Sequence, residues 1–230
     1  MKAGVLVLGA GMLLGPQVAI AVDDPSPEAV VEQMLDSAGG SDAFARLGVL
    51  ELVIDQEETL SDGERISTHF VAYTIGSDLD TARIALSDTV VVASHDGKGW
   101  ATSDGELDTR PQTPRMAVGT IHQKLFPLLL PFSIAMGGVH VNKVVPSTFE
   151  DQPVWLLTVV FDRNFFVSPS MNTEWLLTVR RSDHTLVAAE FLPPVEFRKV
   201  TTEGVRYRYL RHATIDGVRL PTQVLLDGID

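Results

Sequence analysis

The chain of 230 residues contains no cysteine. This absence excludes disulfide bonds, thiolate metal sites, a cysteine nucleophile and the lipid-modified cysteine that anchors bacterial lipoproteins. Basic residues are also scarce, because 18 lysines and arginines accompany 30 acidic residues and give a formal net charge of −12. A chain this acidic is a poor partner for nucleic acid and for anionic lipid surfaces, so we expect neither.

Motifs of common catalytic and metal sites are missing as well. The sequence has no Gly-x-Ser-x-Gly elbow, no glycine-rich phosphate loop and no histidine pair at zinc-binding spacing. Ser182-Asp183-His184 places three triad residue types side by side, but the side chains of sequence neighbours diverge, so we interpret it as a hairpin turn. We therefore predict no catalytic residue, no metal, no cofactor and no enzymatic activity, with a hydrolase as the least favoured alternative.

The one long apolar run lies at the N-terminus. Lys2 supplies a positive charge, Ala3–Gly15 is apolar, and Ala19-Ile20-Ala21 is typical of a signal-peptidase site. The run is short for a membrane span of about 20 residues, although an uncleaved anchor is the alternative. We predict a signal peptide over residues 1–21 and a single domain over 22–230. The mature protein would be periplasmic or secreted and not an integral membrane protein.

Strand patterns dominate the rest of the chain. Two short helices are predicted to start near Ser26 and Ser41, and about five strands follow. After a helix from Arg115 to Leu125, about six more strands run to the end. Eleven or so antiparallel strands are too many for a flat sheet, so we expect a curved sheet whose concave apolar face must be filled.

Two of the predicted strands share the sequence Trp-Leu-Leu-Thr-Val, at Trp155–Val159 and at Trp175–Val179. One such repeat does not indicate a solenoid. It favours similar positions for the two strands in one sheet.

The most apolar internal segment is Leu125–Phe132, in which six of eight residues are Leu or Phe. Fully burying each of these side chains is worth roughly 1.5–3 kcal/mol, so something must cover them. Pro127 and Pro131 lack an N–H and disfavour the helical conformation of the preceding residue, so we expect the helix to end near Leu125. The segment is either ordinary core or a lid over an apolar cavity.

Several further patterns together resemble the bacterial lipoprotein carriers and their relatives, the LolA/LolB/RseB-like family. They are Gly39-Gly40 after the first helix, Asp96-Gly97-Lys98-Gly99-Trp100, Leu177–Leu186, and Tyr207-Arg208-Tyr209 with Ile215–Pro221. The resemblance covers most of the mature chain. It implies an α+β fold, in which a curved antiparallel sheet forms an incomplete β-barrel and helices cap the concave face.

The same resemblance implies an exported binding protein that holds an apolar ligand, such as a lipid or a lipoprotein acyl chain, in the half-barrel. An interaction or sensor module that contacts another envelope protein is the alternative. The predicted ligand-binding residues are aromatic or apolar: Trp100, Phe126, Leu129, Phe132, Trp155 and Trp175. A large empty cavity would favour the carrier, and a filled core with an exposed apolar patch would favour the module.

Overall fold

The computed structural model describes residues 24–59, 65–193 and 204–229. The predicted signal peptide lies outside these residues, and so does Ser61-Asp62-Gly63, a sequence typical of a hairpin turn. The helices are α1 (Pro27–Ser37), α2 (Ser41–Arg46), α3 (Thr113–Leu129) and the short 3-10 helix η1 (Phe132–Ala135). The strands are β1 (Val49–Thr59), β2 (Arg65–Ile75), β3 (Thr81–Ala85), β4 (Val90–His95), β5 (Lys98–Ser103), β6 (Glu106–Leu107), β7 (Val139–Phe149), β8 (Gln152–Phe161), β9 (Trp175–Arg180), β10 (Leu186–Phe191), β11 (Gly204–Ile215) and β12 (Val218–Ile229).

These strands form two six-stranded antiparallel sheets, sheet A from β1 to β6 and sheet B from β7 to β12. Each sheet is a meander in which every strand pairs with its neighbours in the chain. The described residues thus contain twelve strands, one more than predicted, because β6 is a two-residue strand too short for a sequence pattern. The predicted α+β half-barrel with helices on its concave side is confirmed.

Turn chemistry fixes several hairpins. Asp96 and Gly97 both have positive φ (49° and 70°), as do Asp216 and Gly217 (49° and 85°). Two consecutive positive φ values define the type I′ turn, whose twist matches that of paired strands. The Asp-Gly pairs therefore set the β4–β5 and β11–β12 registers.

The repeated pentapeptides lie on adjacent strands of sheet B, as the repeat suggested. Because β8 and β9 are antiparallel, Trp155 pairs with Val179 and Val159 pairs with Trp175. Both tryptophans therefore point to the concave face, from opposite ends of the two strands.

The N-terminal helices differ in how they begin. Ser26 caps α1, since its hydroxyl accepts a hydrogen bond from the Ala29 amide at 3.2 Å. The predicted cap of α2 by Ser41 is wrong, because Ser41 is the first helical residue and Gly40 precedes it without a side-chain bond. The α1 end is fixed to sheet B, where the Arg219 amide donates to the Ala38 carbonyl at 2.8 Å.

Helix α3 crosses the concave side from sheet A to sheet B. Its first turns pack on β4 and β5. There Gly99 permits close approach, since a Cβ at this position would lie 2.2 Å from the Pro114 carbonyl oxygen. Among the described helices, none is long and apolar enough to cross a membrane.

The prediction that this helix ends near Leu125 is wrong, because it continues through Pro127 to Leu129. A proline inside a helix costs about 3 kcal/mol. Full burial of Leu125, Phe126 and Leu129 offsets that cost. The helix stops one turn later, where Leu130 takes an extended conformation (ψ 137°) before Pro131.

Candidate functional site

An aromatic cluster lies where the second half of α3 meets the concave face of sheet B. The Phe126 ring projects from α3 and is fully buried. It packs edge-on against four other rings, with centroid distances of 5.3 to 5.7 Å: Phe161, Phe165, Phe166 and Trp175. Edge-to-face pairs at such distances are each worth roughly 0.5–1.5 kcal/mol beyond their buried area, so Phe126 is the central contact between helix and sheet.

Trp175 forms the floor of this cluster on β9. Its ring stacks on Phe191 at 4.9 Å and on Tyr207 at 5.8 Å, which lie on the next two strands. The indole N–H donates to the Met171 carbonyl at 3.0 Å, so the polar atom of a fully buried ring is satisfied. The result is a flat aromatic surface across β9, β10 and β11.

The loop formed by residues 162–174, between β8 and β9, follows α3 and covers the other side of the cluster. The Val167 amide donates to the Gly119 carbonyl at 3.3 Å, and the Ser168 amide donates to the Gln123 side chain at 3.1 Å. Nδ1 of His122 lies 2.9 Å from the Phe165 carbonyl. Because that carbonyl can only accept, the neutral ring carries its proton on Nδ1. Burial lowers the pKa of His122 and favours this neutral form.

The end of α3 is held by side-chain donors. The Pro127 carbonyl would normally accept from the amide of residue 131, but Pro131 has none. The hydroxyl of Tyr209 on β11 donates to it instead, at 2.8 Å. One residue earlier, the Ser133 hydroxyl donates to the Phe126 carbonyl at 2.8 Å.

Both tyrosines on this part of β11 are neutral. Burial raises the pKa of Tyr209 well above its usual value and that of Tyr207 to about 12. The Tyr209 hydroxyl is therefore a permanent donor at physiological pH.

Little space remains beside α3 in the core. A cavity lined by Met34, Leu130, Tyr209 and neighbouring residues measures about 20 Å³, which is room for about one water molecule. A much larger groove of about 690 Å³ is open to solvent and lies between α1, α2 and β7. Its floor contains Val31, Leu35 and Val141, and its rim is acidic.

The structure brings together some of the predicted ligand-binding residues and separates others. Phe126 and Trp175 share the aromatic cluster, and Leu129 is buried on the same helix. Phe132 stacks on Phe44 of α2 at 4.4 Å. Trp155 lies further along β8 in the same core cluster, and the Arg181 guanidinium covers its ring at 4.2 Å.

Trp100 is not brought to this site. Gly99 and Ala101 of β5 face α3 and the core, so Trp100 points to the convex face of sheet A, where it is 40% exposed. The alternation of β5 placed it on one of two faces, and the sequence did not indicate which one.

Sequence reasoning missed Tyr209, Ser133, Phe161 and the Phe165-Phe166 pair. For Tyr209 one sequence signal was available. Pro131 has no N–H to donate to the Pro127 carbonyl, so a side-chain donor is expected nearby. The aromatic pair lies in an irregular loop, and its sequence carries no periodicity that reveals burial.

The other candidate sites of the sequence have structural explanations. Asp183 accepts from Arg180 at 3.0 Å and from the Thr185 amide at 3.1 Å, which confirms Ser182-Asp183-His184 as a turn. Arg206 pairs with Glu190, and Arg208 pairs with Glu150 and Asp227. Within residues 24–59, 65–193 and 204–229, no three His, Asp or Glu side chains are grouped to hold a metal ion.

Comparison with known proteins identifies this arrangement by structure alone. No family model matches the sequence, and no curated protein matches it. A LolA superfamily protein from Nitrosomonas europaea superposes with a TM-score of 0.56 at 13% identity, covering 89% of this chain and 86% of that one. A domain described as an outer membrane lipoprotein-sorting protein, from Vibrio parahaemolyticus, superposes with a TM-score of 0.55 at 11% identity, covering 88% and 86%.

The chain has a LolA-like fold. The resemblance noted from the sequence is thereby confirmed at the level of architecture. At these identities the likeness does not assign a ligand. In this LolA-like chain the concave face is occupied by α3, η1 and the loop of residues 162–174.

Proposed function

We propose that this protein is an exported carrier that binds an apolar chain, such as a fatty acyl group, on the concave face of sheet B. In this proposal α3 is a lid, and Phe126 occupies the place of the ligand in the closed state. The observation that carries the proposal is the insertion of Phe126 among four aromatic rings, two of which, Phe161 and Trp175, belong to sheet B, while the other two lie against them. Movement of α3 away from sheet B would expose this aromatic surface.

The attachment of the lid supports this proposal. Pro127 interrupts the hydrogen-bond ladder of α3, because it has no N–H to donate to the Gln123 carbonyl. The last turn depends on the hydroxyls of Tyr209 and Ser133. Each neutral hydrogen bond contributes a net 0.5–1.5 kcal/mol or so. Opening also exposes Leu125, Phe126 and Leu129, each worth roughly 1.5–3 kcal/mol when fully buried, so the bound chain has to replace that apolar contact. The structural likeness to a lipoprotein-sorting domain points the same way.

A second candidate is an envelope interaction module in which α3 is permanent core. Two observations favour it. The cavity beside α3 measures only about 20 Å³, so no acyl chain fits there while α3 is in place. Sheet A also carries exposed apolar side chains, among them Val53 and Leu107, as expected of an interaction module. The two functions differ in one respect, namely whether the aromatic face of sheet B ever meets a ligand.

Brominated fatty acids distinguish them, because bromine quenches tryptophan fluorescence only at short range. One variant keeps Trp175 alone (Trp100→Phe, Trp155→Phe). Its matched control keeps Trp100 alone (Trp155→Phe, Trp175→Phe). If the protein is a carrier, quenching of Trp175 should be saturable, because this residue is fully buried on the concave side. Trp100 lies on the convex side, so its fluorescence should not be quenched. Absence of quenching in the Trp175 variant, with its fold intact by circular dichroism, contradicts the carrier and favours the module.

A further inference from the structure

The convex face of sheet A, opposite α3, is rich in exposed apolar side chains. Five large apolar residues on it are each at least 40% exposed: Val49, Val53, Ile75, Trp100 and Leu107. Strand alternation places the first four on this face, because Leu50 and Leu52 of β1, Ala72 of β2 and Ala101 of β5 occupy intervening positions and face the core. Leu107 shares the face because it pairs with Thr102, two residues after Trp100. Contiguous exposed apolar surface of this kind marks an interaction site.

The strand registers show that these residues form ordered rows. One row crosses all six strands and contains no charged residue: Val53, Val71, Ala85, Val91, Thr102 and Leu107. The next row contains Glu51, Tyr73, Arg83, Ala93 and Trp100. The third contains Val49, Ile75, Thr81, His95 and Lys98.

Charge distinguishes this face from the protein as a whole. Over all convex positions of β1 to β6 the face holds three acidic residues, Glu51, Asp55 and Glu57, and three basic residues, Arg65, Arg83 and Lys98, so with neutral histidine it carries no net charge. The chain carries a net charge of −12. Two copies of so acidic a protein repel each other, and the repulsion is smallest where a neutral surface meets its own copy.

We infer that this face, the convex face of sheet A, binds a second copy of the chain in a two-fold symmetric dimer. A two-fold axis parallel to the strands, between β3 and β4, sets each row against the same row of the partner. Val53 then lies opposite Leu107 of the partner subunit, and Tyr73 lies opposite Trp100 of the partner subunit. Two sheets packed in this way lie about 10 Å apart and interdigitate their side chains.

This arrangement opposes no like charges. Arg83 lies opposite Ala93 of the partner subunit, and Lys98 lies opposite Ile75 of the partner subunit. With strands about 4.8 Å apart and rows about 6.8 Å apart, the Cα atoms of the face span roughly 24 by 14 Å. That is a small interface, so the dimer is reversible and depends on concentration.

Sedimentation equilibrium of the purified protein, at several concentrations and salt levels, tests the inference. The variants Val53→Lys and Leu107→Lys place a charge in the uncharged row. Leu210→Lys is the matched control, because Leu210 is 46% exposed on β11 in sheet B and the charge change is the same. Each lysine lowers the net negative charge, so general repulsion alone would make all three variants associate more strongly.

We expect the wild type to dimerise, and to do so more strongly as salt rises, because screening shortens the range of repulsion to about 8 Å near 0.15 M. Val53→Lys and Leu107→Lys should raise the dimer dissociation constant at least tenfold, while Leu210→Lys should leave it within about twofold. All replaced side chains are exposed, and melting curves check that each variant is folded. A wild type that stays monomeric at all concentrations, or equal weakening by Leu210→Lys, overturns the inference. A monomeric wild type would indicate that this face binds a different protein. Trp175 and α3 lie on the concave side of the half-barrel, so neither a dimeric nor a monomeric wild type bears on the proposed acyl binding.

Discussion

The hydroxyl of Tyr209 donates a hydrogen bond to the carbonyl oxygen of Pro127 at 2.8 Å and so connects the end of α3 to β11. The contact exists because a second proline, four residues later, removes the helical donor. Both groups are buried, and a buried carbonyl without a partner is costly. Loss of this one hydrogen bond should therefore both destabilise the end of α3 and favour the proposed opening of the site.

Replacing Tyr209 with Phe removes this hydrogen bond and little else. We expect the free energy of unfolding to fall by about 1–3 kcal/mol, because the Pro127 carbonyl loses its donor. If α3 is a lid, the same variant should bind a fluorescent fatty acid more tightly, since the closed state is weakened. Urea denaturation and a fluorescence titration measure the two effects.

Tyr207→Phe is the matched control for that experiment. Tyr207 lies on the same strand, and its hydroxyl makes no hydrogen bond to other described residues. Its removal should change stability and binding little. Equal behaviour of the two variants would show that the Tyr209 hydroxyl does not hold α3.

Phe126→Ala tests the aromatic cluster. Removing a fully buried phenylalanine ring should cost about 3–5 kcal/mol of stability, because a cavity remains among four other rings. Trp100→Ala should cost much less, since that ring is 40% exposed on the convex face. Chemical denaturation compares the two variants, and similar losses would contradict the assignment of these residues to different faces.

Gly119→Ala tests the contact between α3 and the loop of residues 162–174. A Cβ at Gly119 would lie 2.8 Å from the Val167 amide nitrogen, so the loop must shift. Overpacking of this kind typically costs 1–3 kcal/mol or so. Gly137→Ala is the control, because nothing lies within 4 Å of its Cβ position, and it should leave the melting temperature unchanged or slightly raised. Equal melting temperatures for both variants would refute the close contact.

His122 should make stability depend on pH. Burial lowers its pKa in the folded state, so below about pH 6.5 the unfolded chain binds a proton more readily than the folded one. Stability should therefore fall as the pH drops from 7.5 towards 5. Melting temperatures of His122→Gln should fall less over this range than those of the wild type. Equal falls for the variant and the wild type would contradict this role of His122.

Local patterns predicted most of the strands because each strand of these meanders pairs with its sequence neighbour. Period-two alternation and Asp-Gly turns are local signals, and such signals predicted about eleven of the twelve described strands. The end of α3 was misplaced because its position depends on tertiary burial. The cost of proline is measured in isolated helices, and it does not include the stability gained when Phe126 packs among four rings.

The predicted site shows the same division. Apolar type and strand position pointed to Trp175 and Phe126, and these two rings are in contact, 5.7 Å apart. The sequence did not show which alternating positions of β5 face the core. Trp100 was therefore grouped with residues of the concave side, although it lies on the convex face of sheet A. Tyr209 entered the sequence analysis only as part of the Tyr207-Arg208-Tyr209 pattern, because its partner Pro127 lies 82 positions away in the sequence.

The proposed carrier requires α3 to leave the concave face when an apolar chain binds. Hydrogen exchange measured by mass spectrometry, with and without a saturating long-chain fatty acid, detects this movement. We expect faster exchange at amides of Leu125, Phe126 and Ile134 when the fatty acid is present, while amides of β8 and β9 stay protected. Unchanged or slower exchange in α3 and η1, with the fatty acid shown to be bound, would contradict it.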